Sequence, residues 1–302
     1  MQRIGVARRL LPSVAIFASL LCLWSPAHAN DCKPVADSSR ISVAGGSITE
    51  ILFELGVSER IVGVDRTSNY PAEARELPQL GYVRNLSAEG MLSLAPTLVL
   101  GEHDMGPPNV LEQLSRVGVP IVAVPERFDR SGIVAKVRCV GDVVAEADRA
   151  RAIINALPQA PVPSGAPERG LVILNMEEGA PIAAGADTSG HGFLALAGVE
   201  NVLDFEGWKP VSAEALAAAK PDIIVITERG LKSAGGIDRL LAHPALASTP
   251  AAGSRAVLSL DGMAMLGFGL RTVTAAQELR TYLDEMNSAM QVPVSHDANG
   301  RD

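Results

Sequence analysis

The sequence predicts an α/β protein made of two Rossmann-like lobes, each with a parallel sheet, joined by one long interlobe helix. Short β-branched runs alternate with helical patterns in both halves of the 302-residue chain, which is typical of parallel sheets covered on both faces. A stretch rich in Ala, Val and Ile separates the halves. A short motif also recurs at the same place in each half, which indicates two related lobes.

In the first half, predicted strands alternate with predicted helices. The strands cover residues 41–44, 61–64, 97–100 and 120–124, and the helices cover residues 47–55, 88–94 and 109–117. Ser47 is the predicted N-cap of the first helix, and Glu50, three residues later, completes a predicted capping box.

The same alternation returns in the second half, after a predicted linking helix. The strands cover residues 171–175, 222–227 and 256–260, and the helices cover residues 188–197, 213–219 and 272–286. Residues 130–157 contain no proline and predict a single helix, so the linking element is assigned to 130–160. It separates an N-terminal lobe, 30–129, from a C-terminal lobe, 161–290, with a loose tail at 291–302.

The first 29 residues have the features of a cleavable export signal. Three arginines precede an apolar stretch at 10–24, and Ala-His-Ala at 27–29 fits a cleavage site. That stretch is short for a bilayer span, and no later segment has eighteen uninterrupted apolar residues. We therefore expect an exported, soluble protein, which in a bacterium is periplasmic. Cys32 and Cys139 remain after cleavage, and the sequence leaves their pairing open.

Charge and missing motifs narrow the possible functions. The net charge is −8, and an acidic chain without a basic run argues against nucleic-acid binding. The chain has no nucleophile elbow, no phosphate-binding loop and no His-Glu-x-x-His zinc motif. A secreted α/β enzyme using His103 or His191 stays an alternative, although a solvated surface histidine is the simpler explanation of either residue.

Tyr70 is the residue that points most directly to a ligand. It lies in the polar turn after the predicted strand 61–64, and loops beyond such strand ends form the ligand crevice of open α/β sheets. Pro71 restricts Tyr70 to an extended backbone. A phenolate is a hard donor suited to ferric iron, and tyrosine is a known haem ligand.

Three segments together resemble a known family. Residues 63–71 are Gly-Val-Asp-Arg-Thr-Ser-Asn-Tyr-Pro, residues 77–82 are Leu-Pro-Gln-Leu-Gly-Tyr, and residues 266–272 are Leu-Gly-Phe-Gly-Leu-Arg-Thr. In these segments the chain resembles the periplasmic haem-binding proteins of bacterial haem ABC importers, in the helical-backbone (class III) group of substrate-binding proteins. The resemblance extends roughly over residues 40–286.

The resemblance implies that haem, as the transported ligand, lies in a cleft between the lobes with Tyr70 as the axial ligand of ferric iron. In this family a cation often stands two residues after that tyrosine, but Ala72 occupies the position here. The arginines that could support the phenolate instead are Arg229, which we prefer, Arg75 and Arg84.

The resemblance also suggests contacts for the rest of the haem. The candidates for the apolar macrocycle are Met265, Leu266 and Phe268, which could equally be core residues. His191 is a possible polar contact from the second lobe. A ferric siderophore or a corrinoid on the same fold is the nearest alternative, but such ligands arrive with their metal already coordinated and have less use for Tyr70.

The repeated motif suggests how the protein meets its partners. Ser-Ala-Glu at 87–89, before the strand 97–100, recurs as Ser-Ala-Glu at 212–214, before the strand 222–227. Each serine is a predicted N-cap. The resemblance implies that Glu89 and Glu214 dock onto an inner-membrane ABC permease dimer, which works with its ATPase, while haem comes from an outer-membrane receptor system; the binding protein itself is expected to be a monomer. Alternatively, the two glutamates only complement their helix dipoles.

Overall fold

The computed structural model describes residues 32–163, 166–177 and 179–291, and these form two main sheets and one small two-stranded sheet, with helices around them. The predicted export signal, 1–29, lies outside the described residues, as does the predicted tail apart from its first residue. The predicted α/β class with two sheets is confirmed. We call residues 41–124 the first lobe and residues 169–291 the second lobe.

The first lobe is built on a four-stranded parallel sheet. The lobe as a whole contains six strands, which are β1 (Ile41–Ala44), β2 (Ile61–Val64), β3 (Gly81–Tyr82), β4 (Asn85–Leu86), β5 (Leu98–Glu102) and β6 (Ile121–Val124). Its helices are α1 (Gly46–Glu54), α2 (Ala88–Ser93) and α3 (Pro108–Arg116). The sheet order is β2-β1-β5-β6, and β3 and β4 form a separate antiparallel pair.

Both faces of this sheet are covered, because successive residues of a strand point to opposite sides. On β5, Leu98 and Leu100 belong to one apolar cluster and Val99 belongs to another. Because both faces are buried, the sequences of these strands are continuous runs of apolar residues.

The linking element consists of two helices instead of the single helix that the sequence predicts. They are α4 (Arg130–Val143) and α5 (Ala147–Ala156). At the junction, Ala145 has a φ of 61°. The Glu146 amide donates to the Gly141 carbonyl at 2.7 Å and the Ala145 amide to the Asp142 carbonyl at 3.2 Å, the pattern of a Schellman cap.

Helix α4 joins the cores of the two lobes. Ile133, near its start, packs in a second-lobe cluster, whereas Val137 and Val140 pack in a first-lobe cluster. Cys139 forms a disulfide with Cys32, with the two Cα atoms 4.9 Å apart, which ties the segment before β1 to α4. The pairing that the sequence left open is therefore present.

The second lobe contains a six-stranded sheet. Its strands are β7 (Arg169–Glu177), β8 (Ala180–Ala184), β9 (Glu200–Asn201), β10 (Trp208–Pro210), β11 (Ile223–Thr227) and β12 (Val257–Leu260). Its helices are α6 (Ser189–Leu196), α7 (Ala213–Ala219), α8 (Glu228–Ala234), α9 (Ile237–Leu241), α10 (Pro250–Ser254), α11 (Gly262–Leu266) and α12 (Thr272–Gln291).

This sheet is mixed, which corrects the prediction of a parallel one. Its order is β10-β8-β7-β11-β12, with β9 beside the start of β7. Strand β8 runs antiparallel to both β7 and β10. The chain turns back after β7, where Glu177 pairs with Ala180 and Gly179 has a φ of 81°, a conformation that glycine adopts without steric cost. Among the described residues, no helix is long and apolar enough to cross a membrane.

Candidate ligand-binding site

The loop that carries Tyr70 is held by the buried carboxylate of Asp65, directly after β2. This carboxylate accepts hydrogen bonds from the Gly45 amide at 2.9 Å, from the Thr67 amide at 3.0 Å and from the Ser68 hydroxyl at 3.1 Å. A carboxylate that accepts several hydrogen bonds fixes the backbone on both sides of it. The loop is thereby fastened to the turn between β1 and α1, at the carboxyl ends of the parallel strands.

Tyr70 itself is accessible from solvent, with 48% of its surface exposed. The guanidinium of Arg271 lies over the Tyr70 ring, 4.0 Å from the ring centroid. That distance is within the range of a cation–π interaction. The cation on the tyrosine therefore comes from the second lobe, immediately before α12.

Arg271 is held in place by two carboxylates, one from each lobe. Its Nε donates to Glu50 of α1 at 3.1 Å, and its Nη1 donates to Asp261, which follows β12, at 3.1 Å. Burial raises the pKa of Glu50, and the hydrogen bond and charge of Arg271 oppose that rise.

An open depression of about 540 Å³ surrounds Tyr70 and Arg271, a size typical of small-molecule sites. Its lining combines three apolar side chains with three carboxylates. The lining residues are Glu50, Phe53, Glu54, Ser58, Tyr70, Pro71, Glu73, Leu270 and Arg271. The depression is thus formed by the first lobe together with the segment that precedes α12.

The structure places the predicted apolar contacts differently. Met265 and Phe268 are fully buried in the second-lobe core, where the Phe268 ring meets the Phe128 ring edge-on at 5.3 Å between centroids. Leu266 is partly buried against the same cluster. Met265 and Phe268 therefore belong to the core, and the apolar side chains Phe53 and Leu270 line the depression instead.

The three predicted arginines lie in different surroundings. Arg75 donates to the Asn69 carbonyl at 2.9 Å, next to Tyr70. Arg84 is paired with Asp104 at 2.5 Å and donates to the Tyr82 hydroxyl. Arg229 is exposed in the first turn of α8. Arg271 was missed as the partner of Tyr70, although it stands in the Leu-Gly-Phe-Gly-Leu-Arg-Thr segment that carries the resemblance.

His191 lies at the start of α6, as predicted, and its side chain is exposed. Its amide donates to the N-cap hydroxyl of Thr188 at 3.1 Å, and its ring Nδ1 lies 3.4 Å from the Asn201 amide nitrogen. It is not among the residues that line the depression around Tyr70. Within the described ranges, no three His, Cys, Asp or Glu side chains are grouped so as to hold a metal ion.

A second polar cluster lies buried between the lobes. The ammonium of Lys136, a side chain only 1% exposed, donates to Glu126 at 2.6 Å, to the Ser47 hydroxyl at 3.1 Å and to the Gly267 carbonyl of the second lobe at 2.9 Å. The Ser47 hydroxyl donates in turn to Glu102 at 3.3 Å. Burial raises the pKa of Glu102 to about 7.

This cluster corrects the predicted capping box. The N-cap of α1 is Gly45, with no side-chain capping bond, because Ser47 binds Lys136 and Glu102. Glu50 faces Arg271 instead of the helix start.

The other predicted caps are present. The Ser87 hydroxyl accepts from the Gly90 amide at 3.1 Å, and the Ser212 hydroxyl accepts from the Ala215 amide at 3.2 Å. Glu89 and Glu214 both lie exposed in the first turns of α2 and α7. The duplicated motif thus has the same local structure in each lobe.

Comparison with known proteins identifies the family. Residues 41–264 match the periplasmic binding protein family. This chain belongs to that family. The resemblance seen in the sequence is confirmed, since structural neighbours of this periplasmic binding protein are periplasmic haem-binding proteins. The family and these neighbours are periplasmic binding proteins.

The solved neighbours cover most of this binding protein. BhuT, solved in complex with two haems, is 36% identical, with a TM-score of 0.77 over 83% of this chain and 99% of its own. RhuT from Roseiflexus sp. RS-1, in apo form, is 35% identical, with a TM-score of 0.77 and the same coverage of both chains. HutB of Vibrio cholerae is 32% identical, with a TM-score of 0.71 over 82% of this chain and 99% of its own.

Curated relatives match over shorter stretches. The uncharacterized ABC transporter substrate-binding lipoprotein YvrC of Bacillus subtilis is 25% identical over 198 residues, which is 62% of each chain. A vitamin B12-binding protein of Yersinia pseudotuberculosis is 29% identical over 111 residues, 37% of each chain. The aligned region therefore spans less than two thirds of these relatives' length.

Proposed function

We propose that this protein captures ferric haem in the periplasm and delivers it to an inner-membrane ABC permease, with Tyr70 as the axial ligand of the iron. The observation that carries the proposal is a solvent-accessible phenol under a fixed guanidinium, on the wall of a depression of about 540 Å³. The haem-binding names of the structural neighbours support it. The protein binds and releases haem without a chemical step of its own.

The side chains around Tyr70 suit the parts of a ferric haem. The phenolate oxygen is a hard anionic donor for ferric iron. Phe53 and Leu270 offer apolar surface to the macrocycle. Glu54 and Glu73 also line the depression and would repel the two haem propionates, whereas the cation of Arg75, bonded to the Asn69 carbonyl beside Tyr70, would attract them.

The lobes are held together firmly enough that binding requires little movement. Helix α4 packs in both cores, Lys136 ties this helix to Gly267 of the second lobe, and the contact of Glu50 with Arg271 crosses between the lobes. Buried pairs of this kind are costly to separate one partner at a time. We expect haem to enter a largely preformed site.

Delivery involves a partner with two related halves. We propose that Glu89 and Glu214, exposed on corresponding helices of the two lobes, dock onto cationic side chains of the permease dimer that works with its ATPase. The binding protein acts as a monomer and takes haem from an outer-membrane receptor system. We expect no nucleic acid among its partners.

One alternative cargo has an observation in its favour. A vitamin B12-binding protein matches over 37% of its length, which favours a corrinoid on the same fold. A corrinoid brings its cobalt already coordinated, and Tyr70 would then have no metal to bind. Ferric haem has open axial positions.

A titration read by visible absorption separates these cargoes. We expect ferric haem to give a saturable tyrosinate-type spectrum with the mature protein, and cyanocobalamin to give no binding. Tyr70→Phe retains the ring beneath Arg271 but lacks the oxygen, so the tyrosinate spectrum should disappear. Tyr282→Phe, in α12 against the second-lobe core, is the matched control and should bind as the wild type does.

Three results would contradict the proposal. Haem binding that survives unchanged in Tyr70→Phe would overturn the assignment of the iron ligand. Saturable binding of cyanocobalamin in place of haem would establish the alternative cargo. If neither ferric haem nor cyanocobalamin binds, both haem and corrinoids are excluded as the cargo.

A further inference from the structure

We propose that Arg271 is a positioning residue for the iron ligand: it orients the Tyr70 ring from the opposite lobe and offsets the negative charge of the phenolate. The inference rests on the proposed function and adds a residue to it. Ala72 stands two residues after Tyr70 and offers no charge, whereas the Arg271 guanidinium lies 4.0 Å from the centroid of the Tyr70 ring. Arginine keeps its charge at every physiological pH.

The contacts of Arg271 explain why its face is available to the ring. The guanidinium is planar, and its N–H groups all point outward within that plane. Glu50 and Asp261 take these in-plane donors, with Nε–Oε1 and Nη1–Oδ1 distances of 3.1 Å each. The flat face of the guanidinium remains available to the Tyr70 ring. The hydrogen bonds to the carboxylates and the contact with the ring therefore use different parts of one side chain.

Burial fixes Arg271 over the ring. The Glu50 side chain is 5% exposed and that of Arg271 is 25% exposed, so moving the guanidinium away would leave a buried carboxylate unpaired. Arg271 therefore holds the ring even though Tyr70 itself is half exposed. A ring held in one direction presents its oxygen to the depression in one direction, which reduces the ordering needed when haem binds.

The arrangement also connects Tyr70 to the relation between the lobes. Tyr70 and Glu50 belong to the first lobe, whereas Arg271 and Asp261 belong to the second. A movement that separates the lobes would draw Arg271 away from Glu50 and from the Tyr70 ring together.

The test compares four variants in two measurements. The variants are Arg271→Gln, Arg271→Lys, Glu50→Gln and the double variant Arg271→Gln with Glu50→Gln. Arg255→Gln, which breaks an exposed pair with Asp238 elsewhere in the second lobe, is the control. Ferric haem titration gives the affinity and the tyrosinate absorption band. NMR of ring-labelled apo protein reports the Tyr70 ring, since the chain has only three tyrosines.

We expect Arg271→Gln to lower the affinity for ferric haem about five- to tenfold, which lies within the range of about two- to thirtyfold that one cation–π contact supplies. It should also shift the tyrosinate band and the Tyr70 ring resonances of the apo protein. Arg271→Lys should recover part of the affinity, and Arg255→Gln should match the wild type. Glu50→Gln should weaken binding in the wild-type background and have no further effect when Arg271 is already replaced, because Glu50 acts through Arg271.

Two results would overturn the inference. If Arg271→Gln leaves the affinity, the band and the Tyr70 resonances unchanged while Tyr70→Phe abolishes the tyrosinate spectrum, Arg271 has no positioning role and the proposed function stands. If the wild type forms no tyrosinate complex, the proposed function fails and the inference with it. Should Arg271→Gln alone fail to fold, the double variant, which carries no unpaired buried carboxylate, gives the same comparison.

Discussion

A buried cluster of one lysine and two carboxylates lies between the lobes. Lys136 is shared by Glu126, Ser47 and the Gly267 carbonyl, and Glu102 lies beside them with Ser47 as its hydrogen-bond donor. One ammonium thus serves two carboxylates. Burial then raises the pKa of Glu102 to about 7, with the neighbouring carboxylates adding to the rise and Lys136 opposing it.

The raised pKa of Glu102 predicts how stability depends on pH. The folded protein holds the Glu102 proton up to about pH 7, whereas the unfolded chain releases it near its ordinary pKa of 4.5. The free energy of unfolding therefore falls as the pH rises from about 4.5 to about 7, because only the unfolded chain loses this proton in that range. Above pH 7 the carboxylate is charged in the folded protein too, and the loss of stability is complete. The charged groups around it are Lys136, Glu126, Asp65 and Asp104.

We expect Glu102→Gln to raise the free energy of unfolding by about 1–3 kcal/mol at pH 8 and to change it little at pH 5. Urea unfolding at the two pH values measures the difference. Glu112→Gln, which replaces a carboxylate of an exposed pair on α3, is the control and should have little effect at either pH. A loss of stability in Glu102→Gln at pH 8 would show that its charge is stabilising.

Single residues differ in how far the sequence could predict their surroundings. The location of Tyr70 in an accessible loop at the strand ends was predictable, because a strand end, a following proline and a polar turn lie next to one another in the chain. Ser87 and Ser212 were predictable because an N-cap bonds to an amide three residues away. The contacts of Arg271 with Glu50 and of Lys136 with Gly267 were not, because these residues lie far apart in the chain and only folding brings them together.

At the scale of secondary structure, the junction between α4 and α5 shows a tertiary contact overriding local preference. Residues 130–157 favour one continuous helix, and alanine is the strongest helix former. The chain nevertheless turns at Ala145, so that α5 folds back against α4. A Cβ atom on Gly141 would lie 2.3 Å from the Ala150 Cβ, so the two helices meet where only glycine fits.

The turn at Ala145 predicts a stabilising substitution. Ala145 is exposed and has a φ of 61°, a conformation that costs about 1 kcal/mol for a residue with a Cβ and little for glycine. We expect Ala145→Gly to raise the free energy of unfolding by a few tenths to about 1 kcal/mol, measured by urea unfolding.

The matched control for this substitution is Ala152→Gly, on the exposed face of α5. Because glycine is unfavourable within a helix, this variant should lose about 1 kcal/mol. If Ala145→Gly destabilises the protein as much as Ala152→Gly does, residue 145 is helical in solution and the single helix predicted from the sequence is the right description.

The second-lobe sheet was less predictable than the first for a related reason. The strands β1, β2, β5 and β6 alternate with helices, and that order implies parallel pairing. Strand β8 follows β7 directly, so its antiparallel pairing depends on a turn that includes Gly179. The alternation of strands and helices carried no signal for this hairpin.

For the whole molecule, the duplicated motif gives the two lobes one matching surface feature each. Glu89 and Glu214 stand in the first turns of corresponding helices, each after a serine N-cap. We expect Glu89→Lys with Glu214→Lys to reduce haem transfer to the reconstituted permease at least tenfold, because two attractive contacts become repulsive. The affinity for haem should be unchanged.

Glu112→Lys with Glu278→Lys makes the same change in net charge at two other exposed sites and is the control for docking. Transfer that falls equally in both double variants would show that only the overall charge matters. Transfer that is unaffected by reversal at Glu89 and Glu214 would place the docking surface elsewhere on the molecule.

The most direct test of the central claim is to locate the iron in crystals of the protein grown with ferric haem, by anomalous diffraction at the iron absorption edge. We predict an iron peak within bonding distance of the Tyr70 oxygen, in the depression that Phe53, Leu270 and Arg271 line. An iron peak bound by another residue, with Tyr70 free in solvent, would contradict the account.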